Sequence, residues 1–168
     1  TEETLYALEA CQKRNSQIAC VTSGGKLAEL SKSKGFNLIQ IPSGQPPRAM
    51  FGYSFTQLFF LLHHYGLIND SFQLEFEKGI ALLDEHEEAI KTEAKVLADK
   101  LFGTTPVIYT AAGFEGVGIR FRQQINENSK MLSYNVCLPE MNHNELVGWR
   151  NQEDHLFVIF LRNENDYE

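Results

Sequence analysis

Two short polar stretches hold the residues best suited to chemistry. They are Gln124-Ile-Asn-Glu-Asn-Ser-Lys130 and Leu138-Pro-Glu-Met-Asn-His-Asn-Glu-Leu-Val-Gly-Trp149. A carboxylate such as Glu127 can take a proton from carbon and return it, and an imidazole such as His143 titrates near neutrality, so the pair suits acid–base chemistry. The amides of Asn126, Asn128, Asn142 and Asn144 suit a polyhydroxylated ligand, because groups this polar need partners once removed from water. Plainer readings stand beside these: Glu127 as a solvated acid at the end of a helix, His143 as a cap on the Pro139 turn, Arg48 as cover for a helix start. A helix C-terminus disfavours an acid, which tilts Glu127 toward function. Glu140 and His143 form Glu-x-x-His, half of a metal site, but only Glu145 lies nearby as a further ligand, so no metal is expected.

Composition narrows the classes of function. With 43% hydrophobic and 22% charged residues in 168, the chain is globular and large enough for one domain or two small units. A net charge of -7 argues against a nucleic-acid partner, which selects a basic face, and against an anionic membrane surface. The apolar run Phe55 to Ile68 carries Thr56, Gln57, His63 and His64 and is too short to span a bilayer. Cys11, Cys20 and Cys137 are odd in number, show no metal spacing, and read as small buried hydrophobes in a reducing, cytoplasmic setting.

The elements that position these residues follow from periodicity. Thr1 caps a first helix with acids in its opening turn; Gln17–Thr22 is a strand, Lys26–Lys34 a helix stopped by Gly35, and Asn37–Ile41 a second strand. Arg48–Gly66 reads as an apolar helix, 70–79 as a connecting segment, and Ile80–Leu101 as an amphipathic helix. Pro106–Thr110, Leu132–Leu138 and His155–Leu161 are strands, with a helix between the first two that runs to about Lys130. Strand, helix, strand order with tight Gly-containing turns predicts parallel sheets in layered α/β stretches, about 1–47 and 104–168. Gly113, Gly116 and Gly118 differ from the dinucleotide fingerprint and read as close helix–strand packing. The chain opens on a helix and stops just after a core strand, so it reads as an excerpt from a larger two-unit protein.

The segments Ala19-Cys-Val-Thr-Ser-Gly-Gly-Lys-Leu27 and Ile41-Pro-Ser-Gly-Gln-Pro-Pro-Arg-Ala49 resemble the first sugar-isomerase (SIS) domain of bifunctional phosphoglucose/phosphomannose isomerases. Asn126-Glu-Asn-Ser-Lys130 and Leu138–Trp149 resemble the second SIS domain of that family. The resemblance is collinear and covers nearly the whole chain. It implies a flavodoxin-like, three-layer parallel-sheet fold with parts of two SIS domains, residues 1–80 and 81–168. It also implies an aldose–ketose isomerase that interconverts glucose 6-phosphate or mannose 6-phosphate with fructose 6-phosphate, without cofactor or metal. By the same resemblance Glu127 is the base between C1 and C2, and His143 the ring-opening group, contributed across a homodimer interface. Arg48 lies near the reacting carbons, and Thr1 ends a phosphate-binding Ser/Thr loop. The chain departs from the family in lacking the serines before Thr1 and the C-terminal lysine that helps open the ring, so alone it should bind phosphate poorly.

The chemistry fits those roles. A partly desolvated Glu has the basicity to shuttle a proton, a guanidinium offers fixed charge to an enediolate, and an imidazole opens a cyclic sugar near pH 7. Two rivals keep part of this picture. One is a non-catalytic phosphosugar-binding SIS module; the other is an oligomerisation fragment built on the aromatic helix Phe55 to Tyr65.

Overall fold

The computed structural model describes residues 1–151 and 153–163. The chain divides into two compact units, residues 1–83 and 84–168.

In the first unit, helix α1 (Glu2–Lys13) starts at Thr1, whose hydroxyl accepts a hydrogen bond from the Thr4 backbone N–H at 3.4 Å. Strand β1 (Ala19–Thr22), helix α2 (Gly25–Lys34) and strand β2 (Asn37–Gln40) follow. Gly35 ends α2 in the left-handed region, at φ 70, where a residue without Cβ carries no steric penalty. β1 and β2 pair in parallel, from Ala19 opposite Asn37 to Thr22 opposite Gln40. A short 3-10 turn, Pro47–Ala49, leads into helix α3 (Phe51–His64).

Helix α4 (Ser71–Leu101) begins well before Ile80, so residues 71–79 are helical, where the sequence reading expected 70–79 to be a connecting segment. The Asn69 side chain accepts from both the backbone N–H (3.1 Å) and the hydroxyl (2.6 Å) of Ser71 and so caps the start. Phe72 and Phe76, one turn apart, then pack on Phe59 of α3 with ring centroids 5.7 and 5.1 Å away. Such ring pairs contribute roughly 0.5–1.5 kcal/mol each, enough to offset the ~1 kcal/mol cost of Gly79 inside a helix.

The second unit is built on three parallel strands in the order β4 (Tyr134–Cys137), β3 (Thr105–Thr110), β5 (Leu156–Leu161). This is the 2-1-3 arrangement that begins a flavodoxin-like sheet. β3, the central strand, is the most buried segment: Ile108 and Thr110 are wholly buried and Tyr109 is 1% exposed. Helix α5 (Glu115–Gln124) connects β3 to β4, and helix α6 (Leu138–Gly148) connects β4 to β5 across β3. The two crossovers run in opposite directions along the sheet, and right-handed connections therefore place their helices on opposite faces. Packing agrees. Val107 and Tyr109 meet Met141 and Trp149 on the α6 side. Thr110, pointing the other way, lies under α5, where a Cβ on Gly118 would come within 2.8 Å of its Cγ2. The close-packing reading of the glycines thus holds at Gly118, while Gly113 and Gly116 face open space.

Two local corrections bear on the site. The helix expected to run to Lys130 ends as α5 at Gln124 and widens into a π-helical turn, Ile125–Ser129, closed by Lys130 in the left-handed region at φ 58. The stretch after β4, expected as a Pro139 turn, is helix α6. Pro139 sits in its first turn, where no N–H is needed, and the inward stripe Leu138, Met141, Glu145, Trp149 has helical spacing.

Candidate active site

Glu127 sits at the middle of the π-helical turn with its side chain exposed. Its neighbours hold the turn. The Asn126 side-chain oxygen accepts from the backbone N–H of Ser133 (2.9 Å) and from its hydroxyl (2.8 Å), and Ser133 also reaches the Arg122 carbonyl at 3.2 Å. Ser133 is 3% exposed, so these bonds satisfy groups that water does not reach. Asn128 donates to the Gln124 side-chain oxygen at 2.5 Å, and the Lys130 ammonium donates to the Glu127 carbonyl. Two of the amides read from sequence as ligand-binding groups, Asn126 and Asn128, are thus engaged by neighbours of Glu127, Ser133 and Gln124. Asn126 and Ser133 are positioning residues that sequence reasoning missed; the signal was an amide on each side of one acid. Among the described residues nothing covers Glu127 enough to give the partly desolvated setting expected for it.

His143 lies on the second turn of α6, exposed, with no hydrogen bond among the described residues. Beneath it α6 is tied to the sheet. The Tyr109 hydroxyl donates to Glu145 Oε2 at 2.6 Å and accepts from Trp149 Nε1 at 2.9 Å. Burial first, and then the Glu145 carboxylate, push the Tyr109 phenol up to about 12. The half metal site is otherwise engaged: Glu145 holds Tyr109, and Glu140 accepts from Asn144 at 2.6 Å. Among the described residues no group of three or more His, Cys, Asp or Glu side chains is arranged to hold a metal ion.

The two ionisable residues belong to elements on opposite faces of one sheet, Glu127 after α5 and His143 on α6. Among the described residues no hydrogen bond or ion pair joins their side chains.

In the first unit Arg48 is half-buried in the 3-10 turn ahead of α3. The next two turns offer an open cleft lined by Tyr53, Thr56 and Gln57, polar groups that sequence reasoning had folded into an apolar helix. Thr1 is exposed, and its hydroxyl is shared with Thr4 at 2.8 Å. Cys20 is buried and Cys137 half-buried, its thiol pushed up by burial and by the Glu115 carboxylate, as expected of small, unreactive core residues. Cys11 corrects that expectation, because it lies on the exposed side of α1. No described helix is long and apolar enough to cross a membrane.

Residues 90–168 match the family described as bacterial phospho-glucose isomerase C-terminal SIS domain. The chain is 37% identical to a bifunctional phosphoglucose/phosphomannose isomerase of Aquifex aeolicus over 96% of its own length and 48% of the relative's. It is 38% identical to the protein of the same name from Caldicellulosiruptor bescii, over 95% of the chain and 49% of the relative. It is also 32% identical to a D-glucosamine-6-phosphate 4-epimerase of Sulfolobus acidocaldarius, over 94% of the chain and 50% of the relative. The chain therefore spans about half the length of the curated relatives it matches. No solved structure matches it.

Proposed function

We propose, from the premise that residues 90–168 belong to the bacterial phospho-glucose isomerase C-terminal SIS domain family, that the protein is an aldose–ketose isomerase. It interconverts glucose 6-phosphate or mannose 6-phosphate with fructose 6-phosphate, in the carbohydrate metabolism of the cytoplasm. Residues 1–80 and 81–168 are parts of its first and second SIS domains. The observation that carries this reading is the π-helical turn, whose amides Asn126 and Asn128 are engaged by Ser133 and Gln124 while one carboxylate, Glu127, faces outward.

The chemistry proceeds from that carboxylate. Glu127 removes the proton from C2 of the open-chain aldose and returns it to C1 through a cis-enediolate. The Arg48 guanidinium, always protonated, stabilises the negative charge that develops on the two oxygens. His143 opens the cyclic sugar by moving a proton between the ring oxygen and the anomeric hydroxyl. Thr1 stands beside the phosphate, whose remote anchoring holds the reacting carbons in place. In this reading His143 serves the site of a second copy and the protein is a homodimer with shared sites; the placement of α5 and α6 on opposite faces of one sheet supports it. The approach of that copy also supplies the desolvation that Glu127 lacks alone.

Full-length protein supplied with fructose 6-phosphate in EDTA is expected to form both glucose 6-phosphate and mannose 6-phosphate. Glu127→Gln is expected to cut kcat by about 10³-fold or more with little change in substrate affinity, since it removes a group that acts in the transition state. Normal turnover by Glu127→Gln would remove the base assignment. Sugar-phosphate binding without turnover by wild type would select a sensor module, and 4-epimerisation of glucosamine 6-phosphate instead would place the chain with its epimerase relative.

A further inference from the structure

We propose that Tyr109, Glu145 and Trp149 form a polar latch that fixes the roll of α6 about its own axis and so positions His143 for ring opening. The role given to His143 rests on the isomerase reading above.

The latch sits where an apolar contact would pack as well. Val107, Met141, Val136, Leu138, Leu156 and Val158 surround it, and into that cluster the fold places a phenol, a carboxylate and an indole. An apolar face holds a helix down but permits it to roll, because dispersion contacts are numerous, weak and non-directional. Hydrogen bonds have a direction. The Tyr109 hydroxyl comes from the most buried strand of the unit and bonds two side chains four residues apart, Glu145 on α6 and Trp149 at its C-terminal cap, at 2.6 and 2.9 Å. Two bonds one turn apart on the same helix face define both its roll and its advance along the axis.

His143 is two residues before Glu145 and so projects from a different side of α6, where it is exposed. An imidazole about 6 Å from the helix axis moves about 2 Å when the helix rolls by about 20°. A shift of about 1 Å in a reacting group can cost about 10²-fold in rate. The His143 side chain has no hydrogen bond among the described residues, so the orientation of its helix is what directs it. Tyr109, Glu145 and Trp149 touch neither sugar nor phosphate in this scheme; they are positioning residues.

The test separates ring opening from isomerisation. Fructose 6-phosphate reaches the enzyme mainly as a furanose and must be opened. Its 5-deoxy analogue has no C5 hydroxyl and a blocked C6 oxygen, so it cannot close and needs only proton transfer. In full-length protein, Tyr109→Phe and the double variant Tyr109→Phe/Glu145→Leu are measured on both ketoses, with His143→Ala as the reference for lost ring opening. The double variant removes both members of the shorter bond and leaves no unpaired carboxylate, which protects the fold. The latch is expected to lower turnover of fructose 6-phosphate by about 10- to 100-fold in both variants while turnover of the open-chain ketose stays within about twofold. Equal losses on the two ketoses, or no loss on either, would overturn the latch alone. A wild type that converts neither ketose would overturn the isomerase reading and the latch with it.

Discussion

At the scale of single residues, Tyr109 is the group whose environment has the most definite consequence. Its phenol is 1% exposed, donates to a carboxylate and is pushed from the ordinary 10.0 to about 12. Below pH about 10 the phenol is protonated in both folded and unfolded chains, and its contribution is complete. Between about pH 10 and 12 only the unfolded chain releases the proton, so stability falls as pH rises, by about 2–3 kcal/mol in all. Tyr109→Phe lacks that dependence. Urea unfolding of wild type and Tyr109→Phe from pH 9 to 12 is expected to show the stability difference shrinking through this window, and a constant difference would contradict the burial of the phenol. Glu127 stands out in the sequence because an acid between two amides is unusual at a helix end. What the amides do was not legible. Asn126 is satisfied by Ser133, seven residues on, and a bond across a turn of unknown shape leaves no periodic trace.

Among the elements, α5 is seated by a contact with no slack. The Cβ of an alanine at 118 would lie 2.8 Å from Thr110 Cγ2, and Thr110 is fully buried in the central strand, so α5 would have to lift. Gly118→Ala is expected to destabilise by about 1–3 kcal/mol, whereas Gly116→Ala, which meets nothing within 4 Å, should leave stability unchanged or raise it by up to about 1 kcal/mol. Denaturant midpoints of the two variants decide it, and equal midpoints would contradict the packing. The strands were legible because each is a short, mostly apolar run bounded by Gly, Pro or polar residues, and β5 lies where the pattern puts it. α6 was not legible, because its inward stripe includes Glu145 and its first turn includes Pro139, which mimic a polar turn until the Tyr109 hydroxyl is placed opposite. The start of α4 was hidden by Gly79, whose helix-breaking tendency is outweighed by Phe72 and Phe76 packing on Phe59. The π-helical turn differs from a helix end only in hydrogen-bond register, which periodicity does not record.

For the whole molecule, the direction of two crossovers decides the account. The β3 to β4 connection and the β4 to β5 connection run opposite ways along one sheet, so the elements bearing Glu127 and His143 cover different faces. The proposed reaction uses both groups on one sugar, and in the shared-site proposal two copies of the chain each give a base to one site and an imidazole to the other. In a symmetric dimer, residues paired this way complement each other when mutated separately. The direct measurement mixes full-length Glu127→Gln with full-length His143→Ala, lets subunits exchange, and assays conversion of fructose 6-phosphate. Each mixed dimer has one site with both groups intact and one with neither. Random exchange is therefore expected to restore about a quarter of wild-type activity from two impaired proteins. Activity that stays at the level of the two variants after complete exchange would contradict the shared site.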